Sequence, residues 1–251
     1  TIGLKDFIIF DLGGASTEVT LVKNRHIVKA VSLPIGALTL TGTYQKGDEY
    51  TPKELEKMTK AVKKTIKEHT WLQNIKLPLL GIGGTARNIA KIDQRKLSYP
   101  ITKLHNYELP YHRFHEILED VKGKSLEARK KISGLSSDRA DIIIAGLTIV
   151  DELFNYVNTK TLVVGGCGLR EGLFYDYYGE NYLCGNSIID NILVHSAENV
   201  LLSMTKHELV HAKYITKLAT TLYDALEPLH KADKNFRRCL IAAGLLHEIG
   251  K

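Results

Sequence analysis

The sequence predicts an α/β fold, in which a mixed β-sheet is covered by helices, followed by an all-helical unit. Three short apolar segments separated by turn residues open the chain and indicate antiparallel strands. Two later segments each run from a short apolar strand into a Gly-Gly pair and then into a helix. After Tyr182 the hydrophobic residues repeat with helical spacing and no strand signal remains. We therefore expect one domain over residues 1–181 and a second, helical domain over residues 182–251.

Composition narrows the classes of protein to which this chain can belong. Its 251 residues are 44% hydrophobic, and no run approaches the roughly 18 apolar residues of a membrane span, so we expect no membrane partner. Cys167, Cys184 and Cys239 are far apart in the sequence, which argues against a disulfide framework or a zinc cluster. Because no secretory leader opens the sequence, we predict a cytoplasmic protein. The net charge of +6 is consistent with a polyanionic partner or with solubility alone.

The first strands surround a glycine-rich turn. Residues 7–10 read as a buried strand that ends at Asp11, and a second strand alternates over residues 16–22. A third strand follows over residues 26–33. The turns between these segments are short, so we expect neighbouring strands to be antiparallel.

Helices and strands then alternate along the chain. Thr51, Pro52 and Glu54 predict the start of a helix that runs to about residue 69. The later elements of the first domain are a strand over 77–82, a helix from Thr85 to about Ile92, an apolar helix over 139–156, a strand over 161–164 and a helix over 169–177. Three helices are predicted for the second domain, over residues 186–204, 208–226 and 235–249.

Three antiparallel strands followed by helix, strand, helix, strand and helix is the order of a ribonuclease H-like half-domain. Two glycine pairs, Gly83-Gly84 and Gly165-Gly166, come directly after the two later strands. An open sheet binds its ligand at the carboxyl ends of its strands. We therefore expect both glycine pairs to border a ligand crevice.

The first turn carries groups suited to phosphate chemistry. Gly13 and Gly14 let backbone N–H groups approach phosphate oxygens closely, and Ser16 adds a hydroxyl donor. If the second strand starts near Ala15, Ser16 and Glu18 share one face of the sheet. Asp11 and Glu18 could then hold Mg²⁺ or orient an attacking water, which makes a phosphoryl-transfer hypothesis. The alternative is a plain hairpin with exposed carboxylates.

Five motifs in a fixed order carry a resemblance to a known family. They are DLGGASTEV, SLPIGALTLT, GIGGTARNIAKI, RADIIIAGLTIVDELF and VVGGCGLREGLFYDYY. Over about residues 5–180 this set is similar to the exopolyphosphatase and guanosine pentaphosphate phosphohydrolase family, Ppx/GppA, of the actin-like and sugar-kinase superfamily. The resemblance implies a Mg²⁺-dependent hydrolase that acts on inorganic polyphosphate or on guanosine pentaphosphate, and it implies polyphosphate or guanosine penta- or tetraphosphate as the bound partner.

The resemblance also implies roles for individual residues. Asp11 and Glu18 would be catalytic and would hold Mg²⁺, directly or through water. The phosphate-binding residues that it implies are Gly13, Gly14, Ala15 and Ser16 in the second phosphate loop, and Gly83, Gly84 and Thr85 in an adenosine-type motif. Ala15 stands where the family commonly has glycine, so its methyl group requires a negative φ there.

Family members carry a first ribonuclease H-like domain with another phosphate loop and the glutamate assigned as catalytic base. Those motifs are not found in the 251 residues. We therefore expect this chain to be part of a longer enzyme, to have the N-terminal domain of the same protein as a partner, and to be inactive or nearly so alone. The helical domain is consistent with a homodimer, and no specific nucleic acid is expected as a partner.

The helical tail resembles the HD metal-dependent phosphohydrolase domain that many family members append. The resemblance is carried by His211 and by His247 with Glu248, where the HD domain has a His-Asp pair. Glutamate is one methylene longer than aspartate and displaces the carboxylate in a site of narrow ligand distances. This favours a degenerate domain without metal, and a metal site at these three residues is the alternative.

The sequence thus predicts a hydrolase that releases terminal phosphate from polyphosphate or guanosine pentaphosphate, with water attacking a phosphoryl group in line. Two alternatives use the same loop. One is an ATP-using, kinase-like member of the superfamily, which would need an adenine-sized pocket between the two later glycine pairs. The other is a non-catalytic module that binds a phosphorylated nucleotide such as guanosine tetraphosphate.

Overall fold

The structure is a computed structural model that describes residues 3–182, 191–205 and 208–249. Cys184 and the predicted helix start at Asn186 lie outside the described residues. The chain divides into two compact units, Leu4–Phe174 and a second unit that begins at Tyr175. The first unit holds every strand of the described chain.

The first unit contains a six-stranded mixed sheet, which confirms the predicted α/β fold. Its strands are β1 (Phe7–Leu12), β2 (Thr17–Lys23), β3 (His26–Leu33), β4 (Leu79–Ile82), β5 (Tyr107–Pro110) and β6 (Thr161–Val164). Their order across the sheet is β3-β2-β1-β4-β6-β5. The first three strands are antiparallel, β1, β4 and β6 are parallel, and β5 is an antiparallel edge. The three predicted opening strands and the two later strands are therefore all present.

Six helices accompany this sheet. They are α1 (Ala37–Tyr44), α2 (Pro52–Lys67), α3 (Gly83–Lys96), α4 (Tyr111–Lys122), α5 (Leu126–Lys130) and α6 (Ile143–Val157). Thr51 caps α2 as predicted, because its hydroxyl accepts the Glu54 N–H while the Glu54 carboxylate accepts the Thr51 N–H. Helix α3 differs from the prediction, since it begins at the glycine pair and continues to Lys96. The predicted order of elements also lacked α1, β5, α4 and α5.

The core packs against the strands that end at the glycine turns. Ile8, Phe10 and Val19 alternate on one face of β1 and β2 and are fully buried. On the covering helices, Met58 and Val62 of α2 are also fully buried, and most of α6 is buried. The strands therefore end at positions that packing fixes, and the turns that follow them start from a fixed backbone.

The parallel strands bring the three glycine turns to one edge of the sheet. Asp11 pairs in register with Ile82, and Gly81 pairs with Val164. Each of these positions is at or next to the carboxyl end of its strand. The turns after β1, β4 and β6 consequently begin side by side, where an open sheet binds ligands.

The second unit is helical in its described part. Helix α7 (Leu169–Tyr182) contains the boundary between the units and is longer than the predicted helix. The other helices are α8 (Ile192–Met204), α9 (Leu209–Ala225), α10 (Glu227–His230) and α11 (Lys234–Leu246). Gly244 of α11 lies so close to α9 that a Cβ there would stand 2.6 Å from the Thr216 hydroxyl. Among the described residues, no helix has the length and apolar character needed to cross a membrane.

Candidate functional site

Asp11 and Glu18 lie opposite each other in the antiparallel pair of β1 and β2. Residues directly opposite in such a pair share one face, with Cβ atoms roughly 5 Å apart. The buried Thr17 and Val19 point to the other face, into the core. The structure therefore brings the two predicted acids together on one side of the sheet.

Two hydroxyl groups hold the Glu18 carboxylate. Ser16 donates to its Oε1 at 2.7 Å and Ser32 donates to the same oxygen at 2.8 Å. These hydrogen bonds, that from Ser16 first, hold the pKa of Glu18 below its ordinary value. Both of these side-chain donors go to Oε1 rather than Oε2, and the backbone N–H of Glu18 also favours the ionised form. Glu18 is thus an oriented, ionised carboxylate.

Asp11 has the opposite electrostatic environment. Burial raises its pKa, the Glu18 charge raises it further, and the nearby Arg87 cation partly offsets both effects. Its Oδ1 packs against Gly83, where a Cβ would stand only 2.8 Å from that oxygen. Gly83 also has φ of +89°, a conformation that favours glycine. The two acids therefore differ in proton affinity, which is how paired carboxylates take different roles.

The carbonyl groups of the first glycine turn are bonded to the start of α1. The hydrogen bonds are from Ala37 N–H to Gly13 O at 3.0 Å, from Leu38 N–H to Gly14 O at 2.9 Å, from Thr39 N–H to Gly14 O at 3.1 Å, and from the Thr39 hydroxyl to Ala15 O at 3.4 Å. Because a trans peptide points its C=O and N–H in opposite directions, the following N–H groups face away from α1. Those N–H groups belong to Gly14, Ala15 and Ser16.

This geometry corrects two expectations about the turn. The Gly13 N–H donates to Ser16 O at 3.0 Å and is therefore not available to a phosphate. Neither Gly13 nor Gly14 has a positive φ, so close packing rather than a left-handed backbone requires glycine at position 14. A Cβ on Gly14 would stand 2.7 Å from the Leu38 side chain. Ala15 also avoids positive φ, as its methyl group requires.

The segment that follows β3 packs against the first glycine turn. The buried Thr17 hydroxyl donates to Ile35 O at 2.6 Å. A Cβ on Gly36 would stand 2.4 Å from Gly14 O and 2.5 Å from the carbonyl carbon of Ala15. Gly36 therefore allows two backbone segments to touch, and the motif around it fixes the position of the turn amides.

The second glycine turn forms the N-terminus of α3. No side chain caps this helix, so the N–H groups of its first turn, which starts at Gly83, have no side-chain acceptor. Thr85 is placed differently from the prediction, because its side chain is buried against Gly146 of α6 and only its backbone N–H faces this end. The Arg139 guanidinium lies over Gly84, where a Cβ would stand 3.2 Å from its central carbon.

A cavity of about 160 Å³ joins the second and third glycine turns. Asp11, Gly83 and Arg87 line one side, and residues 165–171 line the other. Two of its cations, Arg87 and Arg170, were missed by the sequence reasoning together with Arg139. Arg87 follows Gly83 by one helical turn, so the helix start at the glycine pair was the signal that could have found it. We call this cavity, with the turn amides beside it, the crevice.

In the helical unit the structure also brings together His211, His247 and Glu248. Their ligand atoms all lie within 4.8 Å of one another. The Glu248 Oε1 is 3.1 Å from His247 Nε2 and 3.6 Å from His211 Nε2. His247 Nδ1 contacts Gly244 O at 2.7 Å, which fixes that ring. The three predicted residues are therefore neighbours, and whether they hold a metal stays a prediction.

An acid pair, backbone amides without a partner among the described residues, and arginines lie at the carboxyl edge of the mixed sheet of this α/β protein. The family model described as the Ppx/GppA phosphatase family matches residues 4–180. The chain belongs to the Ppx/GppA phosphatase family.

Three similar proteins illustrate the relationship. The guanosine-5'-triphosphate,3'-diphosphate pyrophosphatase of Aeromonas salmonicida (strain A449) is 24% identical over 251 residues, covering 97% of this chain and 47% of the relative. The Ppx/GppA family structure from Aquifex aeolicus is 28% identical with a TM-score of 0.62, covering 70% of this chain and 57% of that one. An exopolyphosphatase structure from Cytophaga hutchinsonii, at 20% identity and a TM-score of 0.66, covers 72% and 60% and shows the shared fold. The chain spans about half the length of the curated relatives that it matches.

Proposed function

We propose that this chain carries the phosphate-binding half of a hydrolase that releases the terminal phosphate of inorganic polyphosphate or guanosine pentaphosphate. The observation that carries the proposal is the acid pair of Asp11 and Glu18 beside a cavity lined by glycine turns and arginines. Related proteins are named for both substrates, a guanosine-5'-triphosphate,3'-diphosphate pyrophosphatase and an exopolyphosphatase. Family membership supports the reaction class, and the crevice supports the part of it that this chain performs.

Three kinds of group in the crevice are suited to binding a phosphoryl group: backbone N–H groups, a helix N-terminus and arginine side chains. The N–H groups of Gly14, Ala15 and Ser16, which face away from α1, are donors suited to phosphate oxygens. The N-terminus of α3 adds donors and the positive end of a helix dipole. Arg87 and Arg170 balance the negative charge that phosphoryl transfer spreads over the oxygens.

The acid pair fits Mg²⁺. Hard oxygen ligands from one or two carboxylates are what this ion takes from a protein, and it keeps water molecules in its other positions. Glu18 offers Oε2, and Asp11 lies opposite it on the same face. Bound Mg²⁺ would supply charge neutralisation at the phosphate oxygens. Burial raises the pKa of Asp11, whereas the hydroxyl donors lower that of Glu18, so Glu18 is the more readily ionised of the two ligands.

The small volume of the cavity bears on the kinase-like alternative. Pockets for drug-sized ligands enclose roughly 300–1,000 Å³. The cavity between the second and third glycine turns has about 160 Å³, which suits one or two phosphate groups rather than an adenine nucleoside. This favours a phosphate-chain substrate over ATP for the part of the site within this unit.

We further propose that residues outside this chain complete the active site. The curated relatives are about twice as long as the chain. In this proposal Asp11 and Glu18 are both committed to the ion, and the third acid at the crevice, Glu171, accepts the Gly168 N–H at 2.8 Å. The chain alone is expected to bind phosphate compounds and to release phosphate slowly or not at all. A protein extended to the full length of the relatives is expected to release it.

Calorimetric titration of the chain with tripolyphosphate in Mg²⁺ tests the proposal. We expect binding that is lost in EDTA and that weakens by at least about tenfold in Asp11→Asn, because a neutral amide is a poor ligand for Mg²⁺. Glu56→Gln, an exposed carboxylate on α2, is the matched control and should bind as the wild type does. Equal affinity of Asp11→Asn and the control would refute the site. Binding of guanosine tetraphosphate without turnover, even at full length, would favour the nucleotide-binding module.

A further inference from the structure

A second and larger cavity lies along α3, away from the acid pair. It has a volume of about 690 Å³ and runs between the carboxyl-terminal half of α3 and two loops. Lys91, Arg95, Ser98, Thr102, Ser133 and Ser136 give it cations and hydroxyl groups. None of the described residues that line it is acidic. We call this cavity the α3 groove, and the proposed function gives it no role.

The walls of the groove are held to α3 by specific hydrogen bonds. The buried Asn88 side chain donates to Gly84 O at 2.9 Å and accepts the Ser136 N–H at 2.8 Å, so one residue ties the glycine turn to the groove wall. Gly134 has φ of +94°, and a Cβ there would stand 2.6 Å from the Lys91 carbonyl group. On the other side, the Gln94 amide donates to Lys103 O at 3.2 Å. The groove is therefore a built feature rather than a gap between loose loops.

A row of cations connects the groove with the crevice. Arg87, Lys91 and Arg95 follow one another at intervals of four residues, which places them along one face of α3 over about 12 Å. Arg87 lines the crevice, whereas Lys91 and Arg95 line the groove. Within the described part of the chain none of the three has an ion-pair partner. Lys96, one residue further on, pairs with Asp120 at 3.2 Å instead.

We propose that the α3 groove binds the trailing phosphates of a linear polyphosphate whose terminal group lies in the crevice. The inference rests on the proposed function of the crevice and extends it to the substrate class. A row of cations 12 Å long exceeds the reach of a single phosphate group and matches a ligand that repeats its negative charge along a line. The hydroxyl groups of Ser98, Ser133 and Ser136 add neutral donors to the same oxygens. A nucleotide phosphate has the same oxyanion chemistry, so the experiment must separate the two sources.

The test compares ligands of different length on the intact chain. The variant Lys91→Gln/Arg95→Gln removes both groove cations, and Lys96→Gln is a matched control on the same helix. Calorimetric titration in Mg²⁺ uses tripolyphosphate, a long linear polyphosphate and guanosine tetraphosphate. The double variant should lose affinity for the long chain by on the order of tenfold and keep its affinity for tripolyphosphate. The slope of log affinity against log salt should become shallower by about 1.4 for the long chain, since two phosphate contacts are lost.

Three outcomes would overturn the inference. An equal loss of affinity for tripolyphosphate and for the long polyphosphate would mean that Lys91 and Arg95 act only through the general electrostatic field of the protein. An equal loss in Lys96→Gln would have the same meaning. A loss confined to guanosine tetraphosphate would assign the groove to a nucleotide. Failure of the proposed function looks different, because Asp11→Asn would then leave tripolyphosphate binding unchanged.

Discussion

The crevice of the α/β unit and the histidine cluster of the helical unit gather polar groups by different means. The crevice uses backbone N–H groups whose directions are set by the hydrogen bonds of the neighbouring carbonyls to α1. The histidine cluster, by which we mean His211, His247 and Glu248, uses side chains alone. The His211 side chain is 49% exposed, and its Nε2 lies 3.6 Å from the Glu248 Oε1, a looser contact than that of His247 Nδ1 with Gly244 O at 2.7 Å.

This difference shows which structural features turn a sequence motif into a preorganised binding site. Backbone donors at the end of a packed strand cannot reorient without breaking the sheet, so they meet a ligand already aligned. An exposed histidine loses rotamer freedom when it binds, which costs affinity. The crevice is thus preorganised by the fold, whereas the histidine cluster depends on ligand geometry. The predictions below test that contrast, beginning with the largest expected effect.

The first prediction separates the two units by stability. Leu153 of α6 and Leu201 of α8 are both fully buried, each within its own unit. Truncating either to alanine should lower the free energy of unfolding of that unit by about 2–5 kcal/mol, because a cavity remains. Urea unfolding followed by hydrogen exchange of each unit measures this. Tripolyphosphate binding should survive Leu201→Ala under native conditions; its loss would show that the crevice depends on the helical unit.

The second prediction concerns the contact between Gly36 and the first glycine turn. In Gly36→Ala the new methyl group would collide with Gly14 O and the Ala15 carbonyl carbon, so the turn must move. We expect a loss of about 1–3 kcal/mol in the free energy of unfolding, as for overpacking, and weaker tripolyphosphate binding. Thermal unfolding and calorimetry measure the two effects.

Gly42→Ala provides the control for that experiment on the same helix. A Cβ on Gly42 meets nothing within 4 Å, so alanine there should stabilise α1 by up to about 1 kcal/mol through helix propensity. Tripolyphosphate binding should not change. If both variants weakened binding equally, the contact between Gly36 and the turn would not be what positions the amides.

The third prediction addresses metal binding at the histidine cluster. The glutamate at 248 in place of aspartate favours a cluster without tight metal binding. We expect zinc titrations of the wild type and of His211→Ala to show the same weak binding, with tripolyphosphate affinity unchanged. A tight site present only in the wild type would overturn this prediction and would make the ligand atoms within 4.8 Å a metal centre.

The sequence predicted the sheet, the long helices and the acid pair because each has a local signal. Alternation placed Asp11 and Glu18 at facing positions, and the Thr51 to Glu54 box located the start of α2. The arginines were not predictable in the same way. Arg139 reaches Gly84 from a segment far along the chain, which is held to α3 by the hydrogen bond from the Ser136 N–H to the Asn88 side chain.

The amide directions were also beyond the sequence. They follow from hydrogen bonds between the first turn and α1, a helix whose weak periodicity gave no signal. The hydrogen bond from the Gly13 N–H to Ser16 O was also not predictable, because the register of the strands rather than the residue type decides it. Local patterns therefore identified which residues matter, and long-range backbone pairing decided which of their atoms are free.

The smallest expected effect concerns the hydroxyl groups around Glu18. Hydrogen bonds to the ionised form lower a carboxyl pKa, so removing one donor should raise the pKa of Glu18 toward its ordinary value. Ser16→Ala should raise it more than Ser32→Ala, since the Ser16 bond is the larger cause of the shift. Carbon-13 NMR titration of the Glu18 carboxyl in each variant measures the difference.

The sign of the pH effect on stability follows from the same shift. Because folding lowers the pKa of Glu18, its contribution to stability is present above its unfolded pKa and is lost as pH falls through the lower folded value. Ser16→Ala should reduce this pH-dependent contribution of Glu18 to stability. In the wild type and in the variant alike, the raised pKa of Asp11 has the opposite effect, because that carboxyl group lowers the stability of the fold when it ionises. A larger shift of the Glu18 pKa in Ser32→Ala than in Ser16→Ala would contradict this prediction. It would mean that Ser32 of β3 chiefly orients the carboxylate, and that the hydrogen bond from Ser16 of the first glycine turn is less important to the acid pair.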